Sequence, residues 1–183
     1  LEIEIIKYID QDHHDELLER LLGTIFHVTS KENFEQIKKD KYIGHNRDKR
    51  YKLNTSSEGS FGRKKGWVCL FDLREESKET IEETMFGYNF LGPNWFYTQN
   101  NSDSEEANLV YLFFCLDEYQ RLIPNVVGRE ELTKSRKGGL IIPKTECWFP
   151  GDLSLKHIRH ALFVKVIRKL DDFEKAVREA HKS

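Results

Sequence analysis

Apolar positions fall into short runs along this chain, separated by polar and glycine-containing stretches. The run Thr24-Ile25-Phe26-His27-Val28-Thr29-Ser30 reads as a strand that delivers a histidine and two hydroxyls to the mouth of a helix. Thr29 with Glu32 three residues on has capping-box spacing, and Phe34 and Ile37 share one face of the helix that follows. That helix is expected to run to Asp40 or Tyr42 and to stop at Gly44. Upstream, Asp12 to Leu22 predicts a helix with Leu17, Leu18, Leu21 and Leu22 as its stripe, closed by Gly23. Residues 1–9 alternate too loosely to separate strand from helix.

Trp67 to Leu73 and Leu109 to Leu116 are nearly continuous apolar runs, the pattern of strands covered on both faces. Two strand segments are expected around Pro143, Leu140–Pro143 and Glu146–Phe149, before a Pro150-Gly151-Asp152 turn. Ser154 caps a helical turn, Ala161 to Ile167 is a last strand, and Asp171 with Glu174 opens a terminal helix turning Phe173, Val177 and Ala180 inward. Arg74 to Glu83 is charged, helix or loop. Residues 45–66 and 128–139 read as polar, basic connections, and the aromatic stretch Phe86 to Tyr97 is expected to cover a core or a ligand. The sum is α+β: a helical extension over 1–23 and one domain over 24–183.

Composition narrows the class. With 183 residues, 38% hydrophobic and 33% charged, the chain has a globular balance and length enough to bury a core. A formal charge of −2 argues against bulk attraction to nucleic acid, while leaving room for local basic segments. No apolar run approaches the roughly 18 residues of a membrane span. Cys69, Cys115 and Cys147 are odd in number and widely spaced within apolar stretches, as buried thiols in a cytoplasmic protein would be. No Cys-x-x-Cys or His-x-x-x-His pair exists, so no metal site is expected.

Two chemical features stand out: His27 with Thr29 and Ser30 early in the chain, and Glu146 beside Trp148 just before Phe149-Pro150-Gly151-Asp152-Leu153-Ser154-Leu155. An early His in Phe26-His27-Val28-Thr29, a following Asn33-Phe34-Glu35-Gln36-Ile37 helix and a late Glu ahead of a Pro-Gly turn resemble the His-Tyr-Glu branch of the ADP-ribosyltransferase superfamily. That branch includes poly(ADP-ribose) polymerases and toxin-like bacterial enzymes. The resemblance covers roughly residues 24–167. It implies a split antiparallel β-sheet core with flanking helices, NAD as co-substrate and transfer of ADP-ribose to a nucleic acid or protein, as a toxin or antiphage effector with an antitoxin as a further partner. It assigns His27 to a ribose hydroxyl, with Thr29 and Ser30 beside it, and Glu146 to stabilising the charge that builds at the anomeric carbon as nicotinamide leaves. Val28 follows the histidine where the polymerases carry glycine. No tyrosine follows Trp67–Leu73; Phe71 stands nearest its place, and Tyr51, Phe61 and Tyr97 are other rings for the stacking role. Arg47, Arg50 and Arg63 are candidates for phosphate or substrate contact.

Other readings share parts of this pattern. An RNA 2′-phosphotransferase-like enzyme would use the same fold on another phosphorylated ligand. A nuclease would use His27 or His45 as acid and base, and a non-catalytic module would only bind a nucleotide.

Overall fold

The computed structural model describes residues 1–8, 14–52, 58–88, 106–135, 138–167 and 172–182. Its centre is a six-stranded sheet. In chain order the elements are β1 (Glu2–Tyr8), α1 (His14–Leu21), β2 (Ile25–Ser30), α2 (Lys31–Asp40), β3 (Tyr42–Ile43), α3 (Phe61–Lys65), β4 (Trp67–Asp72), α4 (Lys78–Tyr88), β5 (Glu106–Phe114), α5 (Asn125–Lys134), β6 (Glu146–Pro150), β7 (Leu153–Ser154), β8 (Ile158–Ile167) and α6 (Asp172–Lys182). Short 3-10 turns occupy Leu116–Arg121 and Leu155–His157. The large sheet has the order β1-β8-β5-β2-β4-β6, antiparallel except for the parallel β1–β8 pair, and β3 and β7 form a separate pair. The protein is thus mixed α/β, with a mostly antiparallel sheet flanked by helices.

Each face of the sheet carries its own core. Phe26, Phe71, Tyr111, Phe113, Leu162 and Val164 meet Leu17, Leu18 and Leu21 of α1 and Ile81 of α4 on one side. Ile25, Leu70, Val110, Leu112, Cys147 and Phe149 meet Phe34 and Ile37 of α2, Ile43 and Leu153 on the other. The period of two along each strand therefore sends apolar side chains both ways, which is why these strands read as unbroken apolar runs. Within the first 23 residues, β1 pairs with β8 over seven residues, and Leu17, Leu18 and Leu21 of α1 join the core on one face of the sheet.

Local differences from the sequence expectation have identifiable causes. Ser30, one residue beyond Thr29, caps α2 by accepting from Asn33 N–H at 3.1 Å, while Thr29 stays paired with Val110 in the sheet. The helix ends at Asp40, one of the two expected ends, but its stop is Lys41, which adopts φ 64° and donates its N–H to Ile37 O, and not Gly44. Residues 125–134 form a helix, which takes up 128–134 of the basic loop expected over 128–139. Leu140 makes only an isolated bridge to Ser60, so 140–143 is no strand. Phe173 and Val177 of α6 are 77% and 39% exposed, not inward. The larger part of the Phe86–Tyr97 stretch, with the expectation that it covers a core or a ligand, lies outside the described residues. Among the described residues no helix is long and apolar enough to cross a membrane.

Candidate functional site

The sheet parts between β2 and β4. Only Ile25–Asp72 and Phe26–Phe71 are paired there, although β2 continues along β5 to Ser30 and β4 continues along β6 back to Trp67. Backbone bonds from Asp72 N–H to Thr145 O and from Leu73 N–H to Thr24 O fix the alternation of β4, so the carbonyl of Cys69 points towards β2 and into the gap. An antiparallel ladder would have met it with a backbone N–H of β2. Here the ring of His27 takes that place, its Nδ1 lying 2.9 Å from Cys69 O.

A carbonyl only accepts, so Nδ1 carries the proton and the neutral ring keeps Nε2 as an acceptor. Burial lowers the His27 pKa, only partly offset by the bond to Cys69, which keeps the ring neutral at pH 7. Nε2 has no hydrogen-bond partner among the described residues.

Glu146 approaches the same residue from the other side. It pairs with Phe71 in the β4–β6 register and so shares the pleat face of Phe71, Cys69 and Trp148. Its Oε1 accepts from Trp148 Nε1 at 3.1 Å, its Oε2 from Ile142 N–H at 2.7 Å, and the Cys69 thiol is hydrogen-bonded to the same carboxyl. Burial pushes the Glu146 pKa up to about 7 against these three donors, and the same burial raises that of Cys69. Ser60 Oγ lies 3.1 Å from Cys69 Sγ. The carboxyl is only 4% exposed. Trp148 is held between α3 and α5, where a Cβ at Gly62 or Gly128 would overlap the indole.

His27 leaves the opposite pleat face from Glu146, beside Leu112, and its ring then turns into the gap to reach Cys69. The two residues named by the sequence thus do not face each other across an open groove. They converge on Cys69, one at its carbonyl and one at its thiol. Cys69 was expected only as a buried thiol and not as a site residue, because which strands neighbour β4 is a non-local fact.

The remaining candidates are dispersed. Thr29 is buried, and Ser30 is occupied as the α2 cap. Tyr51 is buried with its hydroxyl donating to Asp40 Oδ2 at 3.0 Å, and burial and that carboxylate raise its pKa strongly. Phe61 packs edge-on against Trp67 at 6.0 Å, and Phe71 against Phe26 at 5.6 Å. All three rings are packed in the core. Arg63 donates to Glu58 O at 2.9 Å and reaches Asn46 O at 3.5 Å; Arg50 pairs with Asp40 and donates to Tyr42 Oη; Arg47 is exposed. Tyr97 lies outside the described residues. Among the described residues no cluster of three His, Cys, Asp or Glu side chains is disposed to hold a metal ion.

No family model, curated protein or solved structure matches this chain.

Proposed function

We propose that the chain binds NAD in the split between β2 and β4 and transfers its ADP-ribosyl group, on an ADP-ribosyltransferase-like version of the split sheet. The observation that supports this reading is the convergence of His27 and Glu146 on Cys69 where the sheet parts. The neutral His27 ring offers Nε2 as an acceptor, the role needed to hold a ribose hydroxyl. Glu146 is a carboxyl poised near neutrality on the adjacent half-sheet, suited both to stabilising positive charge at the anomeric carbon and to taking a proton. In the reaction the bond from that carbon to the nicotinamide nitrogen breaks, and nicotinamide leaves with the electron pair. The acceptor supplies a new pair to the carbon and loses its proton to Glu146 or solvent.

For the sugar to reach Glu146 the segment 138–145 must lift, since Ile142 N–H closes over Oε2. Gly138 and Gly139, with φ of 59° and 154°, are its natural pivot. A role as a toxin or antiphage effector in the cytoplasm, with an antitoxin as partner, belongs to the same proposal.

The closed carboxyl also favours a second reading, a nucleotide-binding module without turnover. Titration with NAD while following thermal unfolding tests the shared part of both. Binding stabilises by about 2.7 kcal/mol at a hundredfold excess over Kd, and His27→Ala removes the shift while leaving a cooperative transition. An identical shift in the variant contradicts the site, and nicotinamide release separates transferase from module.

A further inference from the structure

The chain is slightly acidic overall, yet its basic residues are not evenly spread. From Lys38 to Lys65 it carries ten Lys or Arg and three Asp or Glu, so the rest of the molecule is correspondingly acidic. One of those acids, Asp40, is already taken by Arg50 and Tyr51.

The fold gathers residues 44–52 and α3 of this segment at one end of the sheet. Asn33 of α2 exchanges two hydrogen bonds with Lys52, at 3.1 and 3.2 Å, and Asn46 exchanges two with Tyr51, at 3.0 and 2.8 Å. The Arg47 side chain lies against Gly66, the C-cap of α3, and Gly66 O accepts from Gly151 N–H. The first turn of α2, the 44–52 connection and α3 are thereby tied around the start of β4. Because β2 and β4 are antiparallel, this is the end towards which the split beyond His27 opens.

Four cations there, Arg47, Lys49, Lys52 and Lys64, have no carboxylate within ion-pair distance among the described residues. A pyrophosphate carries about two charges and is matched by one or two of them. Four unpaired cations around one opening call for a ligand with several phosphates.

We infer that this basic rim binds the phosphate backbone of a nucleic acid and presents it to the split. The inference deepens the proposed function by naming its acceptor class, and the binding it describes does not depend on NAD turnover. Phosphate contacts release counterions, so affinity falls steeply with salt in proportion to their number. With four contacts to a single strand, the dissociation constant rises about fiftyfold from 50 to 200 mM salt. The charge-reversed chain Lys49→Glu/Lys64→Glu retains two and shows a rise of about sevenfold. Neither lysine is hydrogen-bonded to His27 or Glu146.

The test is fluorescence anisotropy of a labelled 20-nucleotide RNA, with a DNA duplex of equal length and polyglutamate as competitor, across that salt range. RNA or duplex binding with a steep salt dependence that flattens in the double variant supports the inference. No binding at 50 mM, a salt-independent affinity, an unaltered slope in the double variant or equal competition by polyglutamate overturns it. Should the double variant melt early, Lys49→Glu and Lys64→Glu alone, each lowering the logarithmic slope by about 0.7, decide the matter. Loss of nicotinamide release in the wild-type chain with RNA binding intact would instead strike the proposed function and leave the rim standing.

Discussion

The imidazole of His27 stands where a backbone N–H should be, donating from Nδ1 to the carbonyl of Cys69 at 2.9 Å across strands that have ceased to pair. One side chain thus satisfies an orphaned backbone acceptor and keeps its second nitrogen available. Removing the ring as His27→Ala leaves that carbonyl without a partner in a largely buried gap, and destabilisation of about 1–3 kcal/mol is expected. Chemical denaturation measures it, and a change under half a kilocalorie would mean that water or a closing strand replaces the ring.

Glu146 makes stability depend on pH. Its folded pKa is raised from 4.5 to about 7, so the folded chain binds the proton more tightly than the unfolded one. The resulting stabilisation is fully present below about pH 4.5 and is lost as pH rises through about 7, a swing of order 3 kcal/mol. His27 acts in the opposite sense: with its pKa lowered, it contributes stability above pH 6.5 that falls away as pH drops towards its folded pKa. Unfolding free energies of wild type and Glu146→Gln across pH 4.5–8 separate the two. Their difference should change steadily through this window, and a constant difference would remove Glu146 as the titrating group.

Trp148 is fully buried and fits only because Gly62 and Gly128 lack a Cβ. Gly128→Ala places a methyl group on the indole of a rigid, packed side chain, and overpacking of this kind costs about 1–3 kcal/mol. Ala is otherwise the better helix former, so unchanged or raised stability in a melting experiment would show that α5 slides to make room.

At the other end of the chain Phe173 is 77% exposed, and Phe173→Ala should change stability by no more than about 0.5 kcal/mol. A loss of several kcal/mol would mean that α6 packs in solution.

The last two cases show what could be read along the chain. Leucines at helical spacing fixed α1, and continuous apolar runs fixed β4 and β5, because their periodicity is local. The same periodicity in α6 suggested an inward face, yet an amphipathic pattern does not say whether the sheet has room to cover it. In α5, Val126 and Val127 are exposed and only Gly128 is buried, so there was no apolar stripe to find. Lys41 in a left-handed conformation is likewise silent, since nothing in a lysine announces positive φ. His27 and Glu146 could be picked out as candidates by residue type and order. Cys69 could not, because its role comes from lying between strands far apart in sequence, and the packed rings of Tyr51, Phe61 and Phe71 could not be told from available ones by composition.

The central claim, that the split is an NAD site served by His27 and Glu146, is tested most directly by nicotinamide release from NAD at pH 7 by the wild-type chain and by Glu146→Gln, each shown to be folded. Release by the wild type that falls at least a hundredfold in the variant is the predicted result. Equal release by the two chains, or none by the wild type with RNA present as acceptor, would contradict it.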